Sequence, residues 1–244
     1  MQNESNPTDY SGRETLGDLS LAKNYNNHLS SVIRENFSDG DTVLDFGAGN
    51  GYYLNSISSR KANFFAVEPD EELRKRIESL EVAKVVELDN LAERSLDFIY
   101  TLNVLEHIHD DVAVLEKLFN SLSYEGRILV YVPCFPHLYS NFDRSIGHHR
   151  RYTKSELTEK LESVGFEIES ARYFDPIGYF AALVYKYSSN TGYITRRQIR
   201  FFDTVLYPLS RLLLPLTHKI IGKNLIFLAT KPGVEEVKDS KGIV

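Results

Sequence analysis

The stretch VLDFGAGNGYY, residues 43–53, indicates the fold of the whole chain. It starts with a short apolar run that contains a β-branched residue, which is typical of a strand buried on both faces. Three glycines follow at positions 47, 49 and 51, and a helical pattern comes after them. Because the first N–H groups of a helix have no partner within it, a strand that turns into a helix through glycines offers bare main chain to a ligand. The stretch therefore predicts a nucleotide-type site.

The spacing of the glycines and a downstream acid narrow the choice of nucleotide. The pattern is G-x-G-x-G, whereas a dinucleotide fingerprint reads G-x-G-x-x-G. Residues 63–67 predict a second strand, and Glu68 follows it, 21 positions after Gly47. An ionised carboxylate only accepts hydrogen bonds, so an acid at this strand end can bind both hydroxyls of a ribose. An NAD-dependent oxidoreductase is the alternative, and the glycine spacing disfavours it.

Together, the pattern Asp45-x-Gly47-x-Gly49-x-Gly51 and the acid Glu68 resemble the class I S-adenosylmethionine-dependent methyltransferases. The resemblance implies an α/β fold, a Rossmann-like three-layer sandwich around a seven-stranded, mostly parallel sheet with an antiparallel last strand. It also implies S-adenosyl-L-methionine as the cofactor and S-adenosylhomocysteine as the product.

The resemblance and the strand ends predict the residues that contact the cofactor. We expect Asp45, at the end of the first strand, to steady the glycine loop and to receive the cofactor's amino group. Tyr25 either covers the cofactor or packs within the first helix. The acid that contacts adenine is either Glu87 or Asp89, and we prefer Asp89. The predicted cofactor-binding residues are Asp45, Gly47, Ala48, Gly49, Gly51, Tyr25, Glu68, Pro69, Asp89, Asn90, Asn103 and Val104.

Two further motifs follow predicted strands of the sheet. NVLEHI, residues 103–108, comes at the carboxyl end of the fourth strand, where open α/β sheets bind ligands. GHHRRYT, residues 147–153, follows the fifth strand. The first resembles an element of small-molecule methyltransferases. The second resembles an element of bacterial methyltransferases often associated with glycan or lipid-carrier pathways.

These motifs supply the predicted catalytic and substrate-binding residues. Histidine titrates near neutrality and is the commonest general base, so we predict catalytic roles for His148 and His107. Arginines can bind a carboxylate or phosphate through two hydrogen bonds, and we predict that Arg150, Arg151 and Tyr152 bind the substrate. The alternatives are that the arginines pair with local acids and that His107 is hydrogen-bonded at a helix start. No zinc-binding spacing of His and Cys occurs, so we expect no metal.

Composition sets the class of protein and its partners. The 244 residues carry a net charge of −6, which argues against a general nucleic-acid binder. The single cysteine, Cys134, suits a reducing compartment, and the polar N-terminus is unlike a signal peptide. No apolar run reaches the roughly 20 residues of a membrane span, so there is no predicted transmembrane segment. We expect a cytoplasmic protein.

The chain divides into an arm, one domain and a tail. Residues 1–18 predict a flexible arm, residues 19–233 a single methyltransferase domain and residues 234–244 a frayed tail. Within the domain, residues 174–222 predict a helical insertion before the last strand. The part from 196 to 221 has a basic head and an apolar remainder that Pro208 and Pro215 interrupt. It is either a surface for a lipid-linked acceptor or a membrane, or a packed cap or homodimer contact.

The sequence therefore predicts a methyltransferase that uses S-adenosylmethionine and acts on oxygen or nitrogen of a small molecule or of a glycan or natural-product intermediate. The predicted partners are this acceptor, a possible second copy of the chain and a peripheral membrane contact, without nucleic acid. The alternative function is a catalytically silent scaffold or regulator that binds the cofactor.

Overall fold

The structure is a computed structural model, and it describes residues 17–59, 61–188 and 191–233. Residues 1–16 of the predicted arm and the whole predicted tail, 234–244, lie outside the described residues. Within the described ranges, no helix is both long enough and apolar enough to cross a membrane.

Seven strands and nine helices organise the described residues, with short 3₁₀ turns at Leu88–Asn90, Leu105–His107 and Pro136–Leu138. In chain order, the elements are α1 (Lys23–Arg34), β1 (Thr42–Phe46), α2 (Tyr52–Ile57), β2 (Asn63–Val67), α3 (Glu71–Ser79), β3 (Lys84–Val85), β4 (Leu96–Leu102), α4 (Asp111–Ser121), β5 (Leu122–Pro133), α5 (Asn141–Ser145), α6 (Lys154–Val164), β6 (Glu167–Phe174), α7 (Pro176–Ser188), α8 (Arg196–Phe201), α9 (Tyr207–Thr217) and β7 (Asn224–Thr230).

The strands form one sheet in the order β3-β2-β1-β4-β5-β7-β6. The pairs from β3 to β5 are parallel, and β7 runs antiparallel to both β5 and β6. This topology confirms the predicted seven-stranded, mostly parallel sheet with an antiparallel last strand. The strand order reverses between β1 and β4, and ligands of open α/β sheets bind at such a point, outside the carboxyl ends of the strands.

The two faces of β1 explain the three layers. Val43 packs in a core with residues of α1, α2 and α3, whereas Leu44 and Phe46 pack in a second core with residues of α4 and α6. Successive side chains of a strand point to opposite faces, so a strand with apolar side chains on both faces must be covered on both sides. The helices therefore lie on both faces of the sheet, as the fold class predicts.

Two strands differ from their predicted length. The sequence indicates a third strand over residues 83–88, but β3 contains only Lys84 and Val85, which pair with β2 at the edge of the sheet. The sequence also places the start of the fifth strand at Arg127, whereas β5 begins at Leu122 and pairs there with Leu96. A register shift in β4 separates this first pair from the regular ladder that starts at Arg127.

Between β6 and β7 the chain forms α7, α8 and α9, where the sequence predicts a helical insertion. A π-helical segment, Phe202–Leu206, joins α8 directly to α9. Pro208 lies in the first turn of α9, but Pro215 lies inside it, so the helix continues through the second predicted interruption. Pro215 leaves the carbonyl of residue 211 without its helical donor, and because Arg211 is exposed, water can take that place.

A carboxylate of the insertion caps the first helix. No side chain of its own chain segment caps α1. Instead, the buried Asp203 accepts hydrogen bonds from the backbone N–H groups of Asn24, at 3.1 Å, and Tyr25, at 2.9 Å. The Asn24 side chain also donates to the Asp203 carbonyl. A negative charge at a helix N-terminus stabilises the unpaired N–H groups there, so Asp203 fastens the insertion to α1.

We expect Asp203→Ala to lower the free energy of unfolding by about 1 kcal/mol, because two partly buried backbone donors lose their acceptor. Urea unfolding measures the change. Thr204→Ala, an exposed neighbour in the same segment, is the control and should stay within about 0.5 kcal/mol of the unmodified chain. Equal stability of the two variants would contradict the capping role.

Candidate active site

The glycine loop between β1 and α2 is held by the end of β2. The backbone N–H groups of Gly47 and Ala48 both donate to the Val67 carbonyl, at 2.9 and 3.1 Å. Gly47 and Gly51 have φ angles of 79° and 73°, in the left-handed region that favours glycine. A Cβ atom on Gly47 would also overlap the Val104 side chain, which belongs to the loop after β4. The loop therefore brings the ends of β1, β2 and β4 into contact.

Glu68 lies next to this loop, as the sequence predicts. Its carboxylate accepts from the Gly49 N–H at 2.7 Å through one oxygen and from the Asp70 N–H at 3.0 Å through the other. Burial raises the pKa of Glu68, against the two backbone hydrogen bonds. An ionised carboxylate has about four acceptor positions, so two N–H donors leave capacity for two hydroxyl groups.

Asp45 is buried beneath the loop. Its carboxyl accepts a hydrogen bond from the Tyr100 hydroxyl at 2.8 Å. Burial raises the pKa of Asp45 to about 8; the Tyr100 hydrogen bond opposes this change, and the charge of Glu68 adds to it. A cationic group beside Asp45 would stabilise its ionised form.

The acids after β3 lie in different networks. Glu87 forms an ion pair with Arg74, whose guanidinium also donates to the Glu68 carbonyl. The exposed Asp89 pairs instead with Lys117 of α4. The structure thus connects Glu87 to the predicted ribose site. The roles of Asp89 and of Asn90 stay predictions, and the geometry gives neither of them support.

Three other predicted cofactor residues have clear positions. Tyr25 packs edge-on against Phe174, and its hydroxyl contacts that of Tyr131, which is the packing role that the sequence left open. Pro69 is exposed beside Glu68. Asn103 follows β4 in the left-handed region with φ of 53°, where non-glycine residues are uncommon and asparagine is enriched. Contact of these three with the cofactor stays a prediction.

The two predicted catalytic histidines lie together with Glu106. The ring centroids of His107 and His148 are 4.6 Å apart, and His148 Nε2 is 3.6 Å from Glu106 Oε1. Glu106 is 0% exposed, and within the described ranges neither of its carboxylate oxygens has a hydrogen-bond partner in another residue. Burial raises the pKa of Glu106 to about 8, although its own backbone N–H and Arg151 oppose the change. Burial and the charge of His148 lower the pKa of His107 to about 4.

Hydrogen bonds to two backbone carbonyls join the loops that carry this cluster. The N–H of His149 donates to the Glu106 carbonyl at 2.8 Å, and the Arg150 guanidinium donates to the His109 carbonyl at 2.8 Å. The segment after β5 is therefore fixed against the segment after β4. This contact explains how residues 41 positions apart, His107 and His148, share one site.

The predicted substrate-binding residues have partners within the protein. Arg150 pairs with Asp111 at 2.9 Å, and the Tyr152 hydroxyl donates to the same carboxylate. Arg151 is buried and pairs with Asp143 at 2.9 Å. These are the local ion pairs that the sequence offered as the alternative. Substrate binding by Arg150, Arg151 and Tyr152 stays a prediction that this geometry does not support.

Sequence reasoning missed Asp143, which organises the loop. Its carboxylate accepts from His148 Nδ1 at 3.0 Å, from Arg151 Nε at 2.9 Å and from the Ser140 N–H at 2.8 Å. Although burial opposes the change, hydrogen bonds and charges of His148 and Arg151 lower its pKa to about 2. An acid five residues before the histidine of the GHHRRYT motif was the available signal.

Comparison with known proteins agrees with this geometry. Residues 21–171 match the model of a family described as a methyltransferase domain. A probable S-adenosylmethionine-dependent methyltransferase of Mycolicibacterium smegmatis is 28% identical over 148 residues, covering 58% of this chain and 56% of that protein. One of Mycobacterium tuberculosis is 28% identical over 166 residues, covering 64% of this chain and 60% of that protein. The chain thus matches little more than half the length of these curated relatives.

A solved structure has the same fold. The Burkholderia thailandensis 1,6-didemethyltoxoflavin-N1-methyltransferase, with bound 1,6-didemethyltoxoflavin and S-adenosylhomocysteine, matches with a TM-score of 0.57 and 17% identity. The match covers 91% of this chain and 83% of that chain. At this identity, the likeness concerns the architecture.

The raised pKa of Asp45 predicts a pH effect on stability. Between pH 5 and 7 the folded chain keeps the Asp45 proton that the unfolded chain has lost, so Asp45 makes stability fall as pH rises, by at most about 1.4 kcal/mol per unit, and Glu106 adds a contribution of the same sign. We expect Asp45→Asn to flatten this slope, measured by urea unfolding at both pH values. The control, Glu159→Gln at an exposed carboxyl, should keep the original slope. An unchanged slope in Asp45→Asn would contradict the assignment.

Proposed function

The chain belongs to the methyltransferase domain family, and from that premise we propose that it transfers a methyl group from S-adenosylmethionine to oxygen or nitrogen of a small molecule or of a glycan or natural-product intermediate. The observation that carries the proposal is the contact between the loop after β1 and the loop after β4, where Val104 packs on Gly47. This contact sets the glycine loop and Glu68 next to the segment that continues into Glu106 and His107.

S-adenosylmethionine is the cofactor, as predicted, and the residues present fit it. The glycine loop presents main chain without side chains, since a Cβ on Gly47 would not fit. Glu68 keeps acceptor capacity for two hydroxyls of a ribose. Asp45 can pair with an amino group, and this would return the raised pKa of its buried carboxyl towards the ordinary range.

For methyl transfer the protein must position two reactants and remove a proton. S-adenosylmethionine supplies a methyl group on a sulfonium, whose sulfur leaves without charge. The protein therefore has no leaving-group anion to stabilise, and its tasks are orientation, exclusion of water and deprotonation of the acceptor. With its lowered pKa, His107 stays neutral at pH 7 and can accept a hydrogen bond from the acceptor, and Asp143 orients the ring of His148, the proposed general base, beside it.

Charge and site structure favour a small acceptor. The chain has a net charge of −6, whereas binding along a nucleic-acid backbone needs clustered Lys and Arg. The Arg150 and Arg151 side chains, the basic pair closest to the histidines in sequence, are engaged by Asp111 and Asp143. The proposed acceptor is therefore recognised through hydroxyl or amino groups near the histidines.

Incubation with labelled S-adenosylmethionine and a metabolite extract from the source of the protein tests the activity. We expect label in a small molecule or a glycan-pathway intermediate. Cofactor binding without any labelled product, across extracts and buffers, would favour the silent scaffold over the enzyme.

We expect Glu68→Gln to weaken S-adenosylmethionine binding by about tenfold or more, because the amide replaces an acceptor oxygen with a donor. Isothermal titration calorimetry measures the affinity, with NAD as a second ligand. Glu71→Gln, at an exposed carboxylate three residues after Glu68 and at the start of α3, is the matched control and should bind as the unmodified chain does. Tighter binding of NAD than of S-adenosylmethionine would overturn the assignment.

A further inference from the structure

Contrary to the expectation from sequence spacing, we propose that Glu106, His107 and His148, which come from two separate loops, form a binding site for a divalent transition-metal ion such as Zn²⁺. One ligand atom from each residue lies within 4.8 Å of the other two. Two imidazoles and one carboxylate are a donor set that such ions accept, and three protein ligands leave a position open for a further molecule. Binding of the ion does not depend on the proposed function, and only the role of the ion in methyl transfer rests on it.

The buried carboxylate of Glu106 is the first argument. It is fully buried, and within the described ranges its two oxygens have no hydrogen-bond partner in another residue. A buried carboxylate without partners is costly, and it must either take up a proton or meet a cation. The guanidinium of the buried Arg151 is bound to Asp143 and donates to the Cys134 carbonyl, and it makes no hydrogen bond to the Glu106 carboxylate. An ion between Glu106 and the imidazoles satisfies the carboxylate directly.

The orientation of His148 is the second argument. Asp143 binds Nδ1 at 3.0 Å, so Nε2 is directed to Glu106, 3.6 Å away. Histidines that bind metals almost always donate their other ring N–H to a carboxylate, a carbonyl or water, which fixes the tautomer. Zinc bonds of about 2.0–2.2 Å in a tetrahedral arrangement place ligand atoms about 3.4 Å apart, near the observed separation. Arg151 and Ser140 in turn hold Asp143.

A doubly protonated His148 between Asp143 and Glu106 is the arrangement that competes with an ion. It would also supply charge to Glu106. The separation of 3.6 Å between Nε2 and Oε1 is longer than a hydrogen bond, so these two groups would form an ion pair without one. His107, with its ring 4.6 Å from that of His148, takes no part in that ion pair, whereas it would be the third ligand of an ion.

The ion gives the cluster a role in methyl transfer to a hydroxyl. An ion held by Glu106, His107 and His148 would act as a Lewis acid on an acceptor hydroxyl in the open position: it would lower the O–H pKa, so that the proton could leave to solvent. The oxygen then forms a bond to the methyl carbon while the carbon–sulfur bond breaks, and the electron pair of that bond stays on sulfur. In this account the two histidines hold the ion, and neither needs to accept the proton.

Calorimetry with ZnCl₂ on protein pretreated with EDTA tests the site, and the visible absorption of the Co²⁺-loaded protein reports its geometry. We expect one ion per chain, and at least tenfold weaker binding in Glu106→Gln and in His148→Ala. The double variant His109→Ala/His149→Ala removes the adjacent stacked imidazoles and is the control, expected to bind as the unmodified chain does. Urea unfolding verifies that each variant is folded.

Equal Zn²⁺ affinity in Glu106→Gln and the unmodified chain, or no Zn²⁺ binding at all, would overturn the metal site. Calorimetry with S-adenosylmethionine on the same EDTA-treated sample separates this failure from that of the proposed function. Cofactor binding without Zn²⁺ binding would overturn only the proposed metal site. Zn²⁺ binding without cofactor binding would overturn only the proposed function.

The outer face of α8, the π-helical segment and α9 carries a second, independent inference. Large apolar side chains are exposed along it at helical spacing, including Leu212 at 73% and Leu216 at 77%. The full set is Phe201, Val205, Leu209, Leu212, Leu216 and Ile220. Helices of globular proteins normally turn such a stripe towards the core, and a contiguous exposed patch marks an interaction surface.

The charge of the same segment indicates what covers this face. Residues 191–223 contain one acid, Asp203, and it is buried against α1. The basic residues of the segment are Arg196, Arg197, Arg200, Arg211, Lys219 and Lys223, of which Arg196 pairs with Asp18 and Lys223 with Asp175. Because the whole chain has a net charge of −6, this excess of positive charge is local. We infer that the face lies on an anionic lipid surface, where apolar burial and attraction to lipid headgroups act together.

Co-sedimentation with vesicles of phosphatidylglycerol and phosphatidylcholine, against vesicles of phosphatidylcholine alone, tests the inference. We expect binding to the anionic vesicles, and at least a tenfold loss in Leu212→Glu/Leu216→Glu. Tyr124→Glu, at an exposed aromatic residue outside these helices, is the control. Absence of binding, or equal binding of the double variant, would overturn the inference. A dimer in light scattering that the same double variant dissociates would assign the face to a second copy of this chain.

Discussion

The carbonyl oxygen of Val67 accepts two backbone N–H groups of the glycine loop, and the rest of the site depends on this contact. It joins the end of β1 to the end of β2, and so brings Gly49 within hydrogen-bond distance of Glu68. The left-handed backbone at Gly47 then turns the loop under Val104, which leads into the segment of Glu106 and His107. One acceptor atom thereby positions the ends of three strands.

Electrostatics of the site follow from burial more than from pairing. Asp45 and Glu106 are both buried, and each has a pKa raised to about 8. Asp143 is equally enclosed, yet its pKa falls to about 2, because His148 and Arg151 supply hydrogen bonds and charge. Within a few residues the chain thus holds one carboxylate that is fully compensated and another, Glu106, that is not. This contrast indicates which carboxylate is prepared for a ligand and which one holds the structure together.

The sequence predicted the parts of the structure that local pattern controls. The bounds of β2, the glycine loop and the position of Glu68 all follow from short apolar runs and from residues next to them. Contacts between residues far apart in the sequence could not be predicted from such local patterns. Asp203 caps a helix 179 positions away, and no local pattern marks it for that role. The preference for Asp89 over Glu87 came from the family resemblance, which gives no information on the ion pair that the Arg74 side chain forms with Glu87.

The place of β7 in the sheet has a consequence for the order in which the protein is made. Among the described strands, β6 pairs only with β7, which lies between it and β5. Residues 167–174 therefore leave the ribosome well before residues 224–230 provide their docking position. During that interval β5 has an open edge, and such an edge is prone to pair with other chains. Synthesis of the helices in between delays closure of the sheet, so this edge stays open longer than in a sheet whose neighbouring strands are made one after another.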